Sequence, residues 1–311
     1  MTDVNCYLCG RDEAAPIMNA RDRLRLAPGE FTLVRCGTCG LVYLKPRPDD
    51  GELMGYYPRE YWGGRSKGVR GVLRGIEERF KEGYKLKALS RAGLYKGSVL
   101  DVGCGRGEFL YILKSKGFDV TGLEPGAEAA RRGAEEYGLS IINGVLGQAS
   151  LPDAAFDAAT LWHVLEHMPD PVGALRALYG SIKPGGLLFV AVPDFGGWQS
   201  KTFREGWFGI DAPRHLTHFT KVTLGAALTK AGFETLAFYQ GGPRYETAML
   251  VRSLFPGLNY KKLDALERGL PVKYIYKAVQ LVLDLALLPL GLGVVMAGHG
   301  CTFTAVARRQ V

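Results

Sequence analysis

The sequence predicts an α/β fold, a doubly wound parallel sheet preceded by a small cysteine-bearing module. Three observations predict it. Short apolar runs alternate with helical patterns from about residue 97 onward. A run of glycines at 103, 105 and 107 stands between one such strand and a helix. Four cysteines at 6, 9, 36 and 39 form two Cys-x-x-Cys-Gly pairs.

The organising stretch is Ser98-Val99-Leu100-Asp101-Val102-Gly103-Cys104-Gly105-Arg106-Gly107-Glu108-Phe109. The apolar run reads as a buried parallel strand, and the alternating glycines allow a tight turn with close ligand approach. The helix beginning with Phe109, Leu110, Ile112 and Leu113 aims free N–H groups at that ligand. A dinucleotide site wants a third glycine where Glu108 stands. Asp101, before the first glycine, would repel a pyrophosphate and attract an ammonium group. The second strand, from Asp119, ends in Glu124, placed to accept two ribose hydroxyls.

With these residues the chain resembles the class I S-adenosylmethionine (SAM) methyltransferases. The resemblance covers about residues 97–242. It implies a Rossmann-like seven-stranded sheet with an antiparallel final strand, and a SAM site at Asp101, Gly103, Cys104, Gly105, Gly107 and Glu124.

Length and composition set the frame. At 311 residues the chain holds a core and an added module, and 47% hydrophobic with 23% charged residues fits a globular protein. The net charge of +8 points to anionic partners. Early Cys6, Cys9, Arg11, Asp12 and Glu13 argue against a secretory segment, so a cytoplasmic location is expected.

The module comes first. Cys6, Cys9, Cys36 and Cys39 read as a tetrahedral zinc site, structural because all four positions are cysteine. Phe31–Arg35 and Leu41–Leu44 are its expected strands, a zinc ribbon at 1–48. Arg21, Arg23, Arg25, Lys45 and Arg47 lack interleaved aromatics, which argues against nucleic acid and for a docking or substrate-shaping module. Pro46–Gly51 reads as a linker, and 49–96 continues through the aromatic cluster from Tyr56 to Trp62 into an amphipathic helix from Val69 to Tyr84. In related methyltransferases a tyrosine-rich segment covers the cofactor, making Tyr61 a lid candidate; the other reading is an aromatic anchor.

The core follows. Ala127–Tyr137 reads as the second helix and Leu139–Ile142 as the third strand. Many relatives place an acid soon after it for the adenine amino group; here none stands, which leaves main chain near Val145 and Leu146, or Gln148. The fourth strand, from Phe156 to Leu161, runs into Trp162 and His163. The resemblance puts Leu161 and Trp162 beside the cofactor and His163 at the acceptor as the first candidate base. His167 reads as a structural partner of the backbone. A helix from Pro171 to Ile182 ends at Lys183-Pro184-Gly185-Gly186, before a fifth strand at Leu187–Val192.

The long connection 193–220 carries Trp198, Trp207, Arg214, His215 and His218, aromatic and basic residues suited to an acceptor pocket. His215 is the second candidate base, with a capping role equally open; His218 reads as the cap of the helix after it. Phe233–Gln240 and Thr302–Arg308 are the last strands, with 301–311 completing the core and 243–300 inserted between them. In that insertion Lys273, Lys277, Gln280 and Asp284 form one polar stripe on an otherwise apolar helix, which must be a buried lid or a membrane-surface contact through 272–297. Lys261, Lys262 and Arg268 lie nearby. The expected function is SAM-dependent O-methylation of a small-molecule, sugar or lipid-linked acceptor. The rival expectations are C-methylation of a nucleotide sugar and an RNA-binding methyltransferase-like protein.

Overall fold

Strand-forming runs are distributed along the whole chain. The structure, a computed structural model, describes residues 1–23, 28–57, 82–256 and 270–311. Its strands are β1 (Ala14–Ala20), β2 (Phe31–Cys36), β3 (Val42–Leu44), β4 (Ser98–Val102), β5 (Asp119–Glu124) and β6 (Ser140–Asn143). They continue with β7 (Phe156–Trp162), β8 (Ile182–Pro193), β9 (Thr217–His218), β10 (Phe233–Gln240) and β11 (Thr302–Arg309). One sheet has the order β1-β2-β3-β9 and the other β10-β11-β8-β7-β4-β5-β6.

The chain gathers into two compact units. One combines Met1–Gly64, Pro193–Thr223 and Gln240–Phe303; the other combines Arg65–Val192, Leu224–Tyr239 and Thr304–Val311. This grouping differs from divisions drawn along the sequence, because the module, the long connection and the insertion fall together.

In the second unit β4 pairs in parallel with β5 and β7, β5 with β6, and β7 with β8. The seven-stranded sheet is mostly parallel with an antiparallel strand, as the α/β reading expects. Val99, Leu100, Ala158, Ala159 and Leu188–Val192 are fully buried, as strands covered on both faces must be. Helices flank the sheet: residues 82–91, Glu108–Ser115, Ala127–Tyr137, Pro171–Ser181 and Lys221–Lys230. The expected helix from Val69 begins outside the described residues. Pro171 occupies the first turn, where its missing N–H costs nothing, and Asp170 caps it by accepting from Gly173 N at 2.9 Å. The helix stops at Ser181 because Ile182 already pairs with Phe156; Lys183–Gly186 then bulge out of register before Leu187 pairs with Ala158.

In the first unit β2 is the central partner, antiparallel to β1 and β3, and β3 pairs with β9 through Val42↔His218 and Tyr43↔Thr217. Phe31, Leu33, Val42 and Leu44 bury one core with Trp207, Ile210, Leu216, Met249 and Cys301. The module's sheet is therefore completed and covered by the long connection and the insertion, a supply of apolar surface that about 50 residues alone lack. Among the described residues of the insertion the helices are Pro243–Leu254, Leu270–Ala286 and Leu288–Met296.

Candidate cofactor and acceptor site

The turn after β4 is built by left-handed backbone. Gly103, Gly105 and Gly107 have φ of 67°, 59° and 77°, a region closed to most side chains. Their surroundings differ. A Cβ at Gly103 would lie 2.6 Å from Val164 and one at Gly107 2.5 Å from Leu139, whereas one at Gly105 would meet nothing within 4 Å. Gly103 and Gly107 therefore serve internal packing, and Gly105 bares main chain on an open face. Gly107 caps the Glu108–Ser115 helix with no side-chain bond to its first N–H groups.

Glu124 ends β5 fully buried. Its Oε2 accepts from Gly105 N and its Oε1 from Gly126 N, each at 2.8 Å. Burial raises its pKa, and the two backbone bonds oppose that shift. Each oxygen keeps a second lone pair for a ligand hydroxyl. Asp101, one strand over, accepts from Thr160 Oγ1 at 2.5 Å. Burial pushes its pKa up to about 7, opposed by the positive charge of Lys85 and the Thr160 bond. Burial likewise pushes the Cys104 thiol up, so it stays protonated beside this loop. Glu108, at the position of the missing third glycine, is held by Arg106 at 2.6 Å.

Beyond β6, Gly144 N donates to Glu124 O at 3.1 Å. Val145 O accepts from Gln148 N and Ala149 N in a tight turn, and the Val145 side chain is exposed. At the end of β7, Leu161 is buried in the sheet. Trp162 packs edge-on to Tyr84 and Phe109 at 5.8 and 5.5 Å, which gives its ring a core-packing role. His163 follows with φ 58°, an uncommon conformation for a residue bearing a Cβ. Its Nδ1 lies 3.4 Å from Oε1 of Glu166, a carboxylate 1% exposed.

The connection's histidines are both tied to backbone carbonyls. His215 Nδ1 donates to Gly209 O at 2.8 Å, and His218 Nε2 donates to Ile210 O at 3.1 Å. Both are buried in the first unit. His218 does not cap the next helix, because β9 engages it; Thr220 does so, accepting from Thr223 N while Thr223 Oγ1 accepts from Thr220 N. Arg214, expected in an acceptor pocket, is instead fully buried between Asp22 and Asp211 at 2.7 and 2.5 Å. Tyr61 and Arg25 lie outside the described residues.

Four thiols converge in the module. Sγ atoms of Cys6, Cys9, Cys36 and Cys39 all lie within 4.8 Å of one another, and none is disulfide-bonded. Gly10 N bonds to Cys6 O and Gly40 N to Cys36 O, so both knuckles close in the same way. Four convergent thiols, two buried and two half-buried, suit a tetrahedral zinc ion.

A family model described as a methyltransferase domain matches residues 76–237, just over half the chain. The protein belongs to this family. Among its relatives is a ubiquinone biosynthesis O-methyltransferase of Serratia proteamaculans, 39% identical over 32% of this chain and 45% of its own. Another of the same name, from Idiomarina loihiensis, is 38% identical over 40% of this chain and 51% of its own. The chain thus spans about half the length of these relatives. A putative sarcosine dimethylglycine methyltransferase from Galdieria sulphuraria shares the fold, with TM-score 0.53 and 15% identity over 84% of this chain and 99% of that one.

Asp101, Gly105 and Glu124 present a donor set that SAM would fit: two carboxyl groups and an open backbone face on one turn. Sequence reading missed Thr160 and Glu166 as partners of Asp101 and His163. Thr160 could have been found as the one polar residue among Ala158–Trp162, three strands on in sequence but paired with Asp101 in register. Glu166 gave no such signal.

Proposed function

We propose that the protein transfers a methyl group from SAM to a hydroxyl oxygen of a small-molecule acceptor, and that its module holds one structural zinc. The observation that carries the reading is the Gly105–Glu124 arrangement, in which bared main chain and a twice-anchored carboxylate face the same turn. When bound, SAM supplies an electrophilic methyl group. Glu124 would hold its ribose and Asp101 its ammonium. His163 would take the acceptor's proton on Nε2, with the Glu166 carboxylate on the Nδ1 side keeping that tautomer and favouring the charge that forms. Oxygen as the target is supported by the O-methyltransferase relatives. The acceptor class of hydroxylated aromatics, sugars and lipid-linked molecules follows from the family resemblance.

Radiolabelled SAM incubated with purified protein and a panel of phenols, sugars and polyprenyl-linked hydroxyl compounds tests this reading. Label is expected in the ether product of at least one class; label confined to carbon-bound methyl or to RNA would contradict it.

A further inference from the structure

The insertion helices expose the face that a globular protein would bury. On the Leu270–Ala286 helix, Gln280 is buried and Asp284 half-buried, so the described part of the polar stripe turns toward protein. Ile275, Val282 and Leu285 are 62%, 65% and 54% exposed. The Leu288–Met296 helix continues the pattern, with Leu290, Leu292 and Met296 at 51%, 48% and 79%. It is seated through Gly291, where an added Cβ would meet Thr247 at 2.7 Å and Pro243 O at 2.9 Å, both on the Pro243–Leu254 helix. The small residue thus faces inward and the large aliphatic ones outward, the reverse of ordinary amphipathic packing.

The composition of this face says what covers it. Among residues 278–297 the only ionisable group is the half-buried Asp284, and the outward residues named above are all aliphatic or methionine. A protein partner would normally meet aromatic or arginine anchors and hydrogen-bonding groups, and among its described side chains this face offers none. Lys273 and Lys277 precede it on the same helix, with no acid from 268 to 283, in a chain of net charge +8. A purely apolar face on a chain of positive net charge complements acyl chains beneath anionic headgroups. No single helix among the described residues is long and apolar enough to cross a membrane, and the Ala278–Ala286 and Leu288–Met296 pair is bent by 50°. Two short bent segments suit immersion in one leaflet better than a crossing.

We propose that the bent helix pair Leu270–Ala286 and Leu288–Met296 docks the protein on an anionic lipid surface. The test is flotation of the full-length protein with vesicles of phosphatidylcholine alone or mixed with phosphatidylglycerol, alongside the Val282→Glu/Leu285→Glu variant. Both positions are exposed, so the variant keeps the fold, which its unfolding transition checks. Binding is expected with phosphatidylglycerol, weaker in high salt, and reduced at least about tenfold in the variant. Absence of flotation at low salt overturns the proposal, as does binding untouched by the variant. A concentration-dependent dimer that the variant dissociates, without vesicle binding, would assign the face to a second copy and also overturn it.

Discussion

Glu166 Oε1 lies 3.4 Å from Nδ1 of His163, the residue whose backbone turns left-handed at φ 58° directly after the central strand β7. A buried carboxylate three residues on thus faces the imidazole, in a conformation that costs roughly 1–2 kcal/mol for a side chain with a Cβ. Strain retained in this way is what a positioned catalytic group would show.

His163→Ala is expected to lose turnover by about 10²–10⁴-fold with SAM affinity retained. His163→Gly should lose activity equally yet unfold at higher temperature, by up to about 1 kcal/mol of stability, because glycine relieves the left-handed strain. Steady-state kinetics and thermal unfolding of the two variants check this. An active alanine variant would remove His163 as the base, and His215, tied to Gly209 O, is the next to test.

Asp101 gives a pH signature. Its pKa is raised from 3.8 to about 7 by burial, so the folded state holds a proton that the unfolded chain releases at lower pH. The stabilisation from its neutral form is complete below about 3.8 and lost as pH rises through about 7. Without SAM, stability should fall across that window with a slope of at most about 1.4 kcal/mol per pH unit from this group. Asp101→Asn should flatten the slope, measured by denaturant unfolding at several pH values. Bound SAM, whose ammonium favours the carboxylate, should reduce it too.

Metal analysis should find one zinc per chain. Because Tyr43 and Val42 pair with Thr217 and His218, removing the metal should speed amide hydrogen exchange in β9 as well as in the knuckles. Cys36→Ser should do the same. Metal-free protein with unchanged protection in both places would contradict a structural zinc.

How much of this was legible follows from what each signal encodes. β4, β5 and β7 are apolar runs bounded by polar or glycine residues, and a buried parallel strand has no other way to be written. The cysteine knuckles and the glycine turn are local in sequence, so spacing alone exposes them. β1 was not legible, since Pro16 and Asn19 break its pattern. Nor was β9, two residues whose only reason to be a strand is the edge of β3. Arg214 reads as a pocket residue until Asp22, 192 positions away, is brought beside it. The stripe through Gln280 was visible, but periodicity gives the face and not its direction, and here Gln280 points in.

The central claim is that Gly105 and Glu124 build a SAM site, and isothermal calorimetry with SAM tests it most directly. The wild-type protein should bind one SAM per chain. Glu124→Ala should bind more weakly by about 1.5–3 kcal/mol for each hydrogen bond to the carboxylate that is lost, roughly tenfold or more in affinity. No heat of binding and no thermal shift with the wild-type protein, or unchanged affinity in a folded Glu124→Ala variant, would contradict the account.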